Sequence, residues 1–99
     1  MFISENLGMN EEGHLTVSGV DTVGLAKKYG TPLYVMDEQM VRSACRKFKN
    51  SMEEYYGGNG LVCYASKAFC CKEMCRIMKS EGLGLDVVSM GELYTAMSV

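Results

Sequence analysis

Tryptophan is absent from the 99 residues, proline and histidine each occur once, and neither charge sign dominates. One proline in a chain that is 47% hydrophobic and 22% charged excludes a proline-rich or disordered segment and leaves an ordinary globular composition. The 12 acidic and 10 basic residues are interleaved, for a net charge of -2, so no basic stripe exists to neutralise a phosphate backbone. Nucleic acid is therefore not an expected partner. No apolar run approaches the roughly 20 residues of a membrane span, and Met1 to Met9 lacks the positive region and apolar stretch of a secretory signal. These absences predict a cytoplasmic protein that is not in the membrane.

Paired metal-site spacings are missing too. The five cysteines, Cys45, Cys63, Cys70, Cys71 and Cys75, match neither a disulfide framework nor two C-x-x-C pairs. Cys71 and Cys75 stand one helical turn apart, but His14 is far away in sequence, so no metal is expected and the cysteines are read as reduced, mostly buried small hydrophobes. His14 occupies a half-buried strand position and is assigned a structural or solvent role rather than a catalytic one.

What is present is an alternation of short apolar runs with longer helical patterns, the mark of βαβ units on a parallel sheet. Leu33 to Val35 reads as a first strand. Asp37 then caps a helix whose Val41, Ala44, Cys45, Phe48, Met52 and Tyr55 share one face, and Gly57 to Gly60 stops it. A second strand is predicted from Leu61 to Tyr64 or Ala65. The next helix, with Cys70, Met74, Ile77 and Met78 on one side, ends at Gly82. Leu85 to Val88 reads as a third strand, and a third helix begins at Met90 and is still running at Val99, so the sequence reads as truncated. Before these units lie a turn at Asn10 to Gly13, a short strand at His14 to Val17, and a helix over Thr22 to Tyr29 capped by Asp21 and stopped by Gly30. Strand starts 28 and 24 positions apart fit an α/β fold of either kind, a (β/α)8 barrel or an open doubly wound sheet.

In both architectures functional side chains gather where strands end and helices begin. Lys67 lies in the loop after the second strand; Asp86 and Glu92 flank the loop after the third. A lysine held at such a mouth can be desolvated to a free amine able to condense with an aldehyde, and carboxylates beside it can accept its ammonium once displaced. The bland reading of the same residues is a solvated lysine and two acids that favour a helix N-terminus. Gly82 and Gly84 form a G-x-G that precedes a strand rather than following one, so it is read as a turn and not as a phosphate loop.

Tyr64-Ala65-Ser66-Lys67-Ala68 resembles the Y-A-x-K-A segment of fold-type-III pyridoxal-phosphate enzymes, whose lysine carries the cofactor. Gly82 to Leu93 resembles their G-x-G-x-D-x-x-S-x-G-E-L segment. Within that superfamily, Tyr29-Gly30-Thr31-Pro32-Leu33-Tyr34-Val35 is similar to the lead-in of diaminopimelate decarboxylases, as are His14-Leu15 and Gly19-Val20-Asp21; Phe69 and Met90 depart from the usual residues. The resemblance implies the first three strands of a (β/α)8 TIM-type barrel of the alanine racemase N-terminal kind. Residues 1–30 would associate with a C-terminal β-domain of the intact enzyme, and residues 31–99 would open the pyridoxal-phosphate-binding barrel. It implies catalytic roles for Lys67, Asp86 and Glu92, and cofactor contacts from Lys67, Ala65 and Asp86. The implied reaction is decarboxylation of meso-2,6-diaminopimelate to L-lysine and carbon dioxide by a homodimer that binds a small amino-acid substrate. Ornithine, arginine or carboxynorspermidine decarboxylation, or a non-catalytic regulatory role, are the alternatives within the same fold. The 99 residues alone, lacking later loops, are expected to be inactive.

Overall fold

Asn10 sets the first turn. Its side-chain oxygen accepts from the Glu12 and His14 amides at 3.1 and 2.8 Å, which lets the chain reverse into an antiparallel hairpin. In the computed structural model, which describes residues 2–99, β1 (Leu7–Met9) pairs with β2 (Leu15–Val17), Leu7 opposite Val17 and Met9 opposite Leu15. β3 (Val20–Asp21) adds to β2 across the two-residue loop Ser18-Gly19. Both loop residues have positive φ, 49° and 80°, as the twist of a two-residue hairpin requires. Of this three-stranded sheet the sequence reading found only the middle strand, although Ser-Gly between two valines was a usable hairpin signal.

Helix α1 (Thr22–Tyr29) has the expected caps: Asp21 Oδ1 accepts from the Val23 amide at 2.9 Å, and Gly30, at φ 82°, donates its N–H to the Ala26 carbonyl. Leu33 to Val35 departs from expectation, because it joins no β-ladder among the described residues. A strand exists only through its hydrogen-bonded neighbour, and an apolar run in the sequence cannot guarantee that neighbour.

Two compact units divide the chain, one ending at Met40 and one over Val41–Val99. Helix α2 (Glu38–Tyr56) begins in the first unit, where Asp37 Oδ1 accepts from the Met40 amide at 3.2 Å, as the capping prediction required. Asn6 and Ser18 both donate to Asp37 Oδ2, and together with the Met40 amide they hold the Asp37 carboxyl below its ordinary value.

The second unit is built on β4 (Cys63–Ala65), α3 (Lys72–Ser80) and β5 (Gly84–Asp86), with β4 and β5 parallel: Cys63 opposite Gly84, Tyr64 opposite Leu85, Ala65 opposite Asp86. A parallel pair joined by a helix is the βαβ unit that the sequence pattern implied. The strands are shorter than predicted, and β5 ends at Asp86 rather than Val88. Helix α4 follows over Met90–Met97, closing before Val99 rather than running through it.

Cys45, Met74, Ile77 and Met78 form the buried cluster, with Val41, Tyr64, Phe69, Cys71, Leu83 and Leu85 packed against it. Only the start of the predicted α2 stripe is used; Phe48 and Tyr55 are exposed, since the strands and α3 in this unit cover no more of that face. Glu81 ties α2 to the end of α3 by accepting from Arg42 at 2.8 Å and from Arg46 through two bonds of 2.9 Å. These guanidiniums hold its carboxyl at about 2, well below the usual 4.5.

Candidate active site

Side chains alternate between the faces of a strand, so the residues that pack on the core fix where the others point. Tyr64 and Leu85 pack on the α3 cluster. Their neighbours Ala65 and Asp86, which are Cα partners in the ladder, therefore lie on the opposite face, together with Cys63 and Gly84. In a closed barrel that is the inner face. The predicted pair Ala65 and Asp86 is thus brought together. The Asp86 side chain is exposed and makes no hydrogen bond or ion pair among the described residues.

Lys67 sits in a single 3-10 turn, Ser66–Ala68, at the carboxyl end of β4. The turn is fastened on both sides. The Tyr64 hydroxyl donates to the Phe69 carbonyl at 3.0 Å, spanning the lysine, and burial pushes the Tyr64 phenol up. Ser66, 1% exposed, places its hydroxyl 2.9 Å from the Asp86 carbonyl and 3.0 Å from Glu92 Oε2. Lys67 itself is exposed, and its amine forms no ion pair within 4.0 Å among the described residues.

Glu92 belongs to the start of α4. Ser89 caps that helix by accepting from the Glu92 amide at 3.1 Å, while Glu92 Oε2 reaches back to accept from the Val88 amide at 2.7 Å. This is close to a capping box, in which the residue three beyond the cap reaches back to the chain before the helix. The S-x-x-E of Ser89 and Glu92 carried that signal in the sequence. Ser66 had none, because it fills the open position of Y-A-x-K-A. The structure therefore joins Ala65 to Asp86, and Glu92 to the Lys67 turn through Ser66, without pairing the lysine amine to either acid.

The Gly82-x-Gly84 turn is a turn as expected: Gly82 has φ 76° and Gly84 opens β5. A hollow of about 460 Å³ lined by Leu61, Cys75, Leu83, Leu85, Ala96 and Val99, among others, includes none of Lys67, Asp86 and Glu92. The cysteines are all free, as read from the sequence; Cys45 and Cys75 are buried, Cys70 and Cys71 half-buried, and Cys63 exposed on the strand face away from α3, so burial is less general than the mostly buried reading expected. Cys71 instead caps α3, its sulfur accepting from the Met74 amide at 3.5 Å.

In the first unit, Glu12, His14 and Asp21 bring their ligand atoms within 4.8 Å of one another. Asp21 already accepts from Val23 through one oxygen and lies 3.1 Å from His14 Nδ1 through the other. His14 thus serves the hairpin and the α1 cap, in keeping with a structural role, and its hydrogen bond holds the Asp21 carboxyl below the ordinary value.

Residues 38–99 match the model of the pyridoxal-dependent decarboxylase family, pyridoxal binding domain. The chain is 52% identical over 97 residues to diaminopimelate decarboxylase of Bacillus methanolicus, covering 98% of this chain and 22% of that protein. It is 47% identical over 98 residues to the same enzyme of Bacillus subtilis, covering 99% and 22%. A crystal structure of diaminopimelate decarboxylase from M. jannaschii in complex with L-lysine superposes with a TM-score of 0.79 at 35% identity, over 99% of this chain and 23% of that one. The chain thus spans about a fifth of the length of these relatives. That likeness shows the fold to be the opening of an alanine-racemase-like (β/α)8 barrel, which settles the choice the strand spacing left open. With a family match over residues 38–99 and the lysine turn at the mouth of a parallel strand pair, the chain belongs to the pyridoxal-dependent decarboxylases.

Proposed function

We propose that this chain supplies the lysine-bearing part of a pyridoxal-phosphate-dependent decarboxylase acting on meso-2,6-diaminopimelate, with L-lysine and carbon dioxide as products. The observation that carries the reading is the placement of Lys67: exposed, free of an ion pair among the described residues, at the carboxyl end of β4 beside the Ala65–Asp86 face. The residues present fit an aldehyde cofactor. Lys67 offers an amine, Ala65 is small enough to admit a flat ring against the strand, and Asp86 leaves an uncommitted carboxylate on the same face. When bound, pyridoxal phosphate supplies an electron sink for the charge left as carbon dioxide departs.

Lys67 would hold the cofactor and give way to the substrate amine. Asp86 would contact the cofactor and, with Glu92, stand ready to neutralise the ammonium of the displaced lysine. The choice of diaminopimelate among basic amino acids rests on the similarity to diaminopimelate decarboxylases over nearly the whole chain, and on the L-lysine bound by the M. jannaschii relative. By the same reasoning the full-length protein acts as a cytoplasmic homodimer. Residues 1–30 then associate with its β-domain, which is consistent with the exposed Met9, Leu15 and Val20 on the small antiparallel sheet. No described helix is long and apolar enough to cross a membrane.

The test is borohydride reduction of the full-length protein with pyridoxal phosphate, followed by peptide mapping, alongside carbon dioxide release from diaminopimelate, ornithine and arginine. Label on Lys67 and release from diaminopimelate are expected. Label on another lysine overturns the site, and release from ornithine or arginine alone overturns the substrate.

A further inference from the structure

Ser66 is the most enclosed polar residue of the second unit, and its hydroxyl links the lysine turn to both β5 and α4. It has a single proton to offer and two acceptors in reach, the Asp86 carbonyl at 2.9 Å and Glu92 Oε2 at 3.0 Å. The carboxylate also takes the Val88 amide at 2.7 Å, so Glu92 is anchored from two directions. We infer that Ser66 is a positioning residue for Lys67: it fixes the Glu92 carboxylate and the end of β5 relative to the turn that carries the lysine. This deepens the proposed function and rests on it.

The physical case follows from what alanine would leave behind. Without the hydroxyl, the Asp86 carbonyl and the Glu92 carboxylate face one another with no proton between them, beside a residue that is itself 1% exposed. Two acceptors in that relation repel, and Glu92 is freed to swing on its remaining Val88 bond. Lys67 is the next residue along the chain, so the turn loses the side-chain fastening that Ser66 gives it to β5 and α4 while keeping the Tyr64–Phe69 clip. Small misplacements of a reacting group cost large factors in rate. A glycine or a larger residue at 66 meets the same problem from either side: the first supplies no donor, and the second has no room.

The experiment uses full-length wild-type, Ser66→Ala and Ser66→Cys proteins, freed of cofactor. The rate at which each condenses with pyridoxal phosphate is followed by visible absorbance, together with kcat, KM and the thermal midpoint. Ser66→Ala is expected to slow condensation roughly tenfold or more and to lower kcat with little change in KM. Ser66→Cys, near in size with a weaker donor, is expected to fall between the two, and it carries the test if the alanine variant does not fold. Combining Ser66→Ala with Glu92→Gln is expected to add less than the two effects separately, because they break one linkage. Unchanged condensation rates and kcat in folded Ser66→Ala, or in Ser66→Cys where only that variant folds, overturn the inference and leave Ser66 a packing residue. Borohydride label absent from Lys67 in the wild-type protein instead overturns the underlying assignment, so the two failures are distinguishable.

Discussion

The Tyr64 hydroxyl donates to the Phe69 carbonyl across 3.0 Å, bridging the turn that holds Lys67. Tyr64 does this while its ring packs on the core cluster, so one side chain both fills the helix-facing side of β4 and fastens the loop beyond it. Tyr64→Phe keeps the ring and removes only the bond. It is expected to cost about 1 kcal/mol, the usual net value of a neutral hydrogen bond, read as a lower urea midpoint at unchanged slope. Amide exchange at residues 66–69 should speed up more than at α3, because the bond that is lost closes that loop and not the helix.

Acid sensitivity should centre on Glu81. Its carboxyl is held at about 2 in the folded chain by Arg46 and Arg42, against an ordinary 4.5. A depressed carboxylate pKa contributes stability that is fully present above about 4.5 and is lost as pH falls toward 2. Denaturation midpoints measured from neutral pH downward should therefore fall through that window. Glu81→Gln should flatten this part of the profile while lowering stability at neutral pH, where two guanidiniums lose their counter-charge. An unaltered slope between 4.5 and 2 in the variant would show that other carboxylates govern the acid response.

Local chemistry made much of this legible in advance. Asp21, Gly30, Asp37 and Gly82 act as the caps and stops their residue types imply, since these depend on groups within a few positions. Leu33 to Val35 failed because a ladder depends on a distant partner, and β1 went unseen because Leu7-Gly8-Met9 is too short to alternate convincingly. The strand and helix pattern placed Lys67, Asp86 and Glu92 at strand ends as candidates, and their proposed roles rest on motif resemblance. Ser66 was missed for the converse reason: its role is defined by atoms 20 and 26 positions away, which no local pattern records.

Thiol reactivity should separate the five cysteines. Cys63 is exposed, whereas burial pushes the thiols of Cys45 and Cys75 up and removes them from reagent. In the 99-residue chain, Cys63 is expected to react with an aromatic disulfide roughly tenfold or more faster than Cys45 or Cys75, whose burial limits access. Mass mapping of partially modified chain gives the order. Cys45 reacting first would mean that the Met74, Ile77 and Met78 cluster does not stay closed around it, and Cys75 reacting first that α3 does not keep it covered.

Asp86 offers the cleanest separation of cofactor binding from stability. Its backbone is committed, through the ladder with Ala65 and through the carbonyl that accepts from Ser66, but its carboxylate is exposed and makes no bond among the described residues. Asp86→Asn preserves the shape and the backbone bonds, so stability should change by no more than about 0.5 kcal/mol. If the carboxylate contacts pyridoxal phosphate as proposed, the full-length variant should hold the cofactor roughly tenfold more weakly in equilibrium dialysis, about 1.4 kcal/mol of lost binding. Equal affinity with equal stability would remove Asp86 from the cofactor site, leaving Lys67 and Ala65 as its contacts from this chain. A large stability loss would mean that the carboxylate supports the end of β5, a role its exposed and unbonded position argues against.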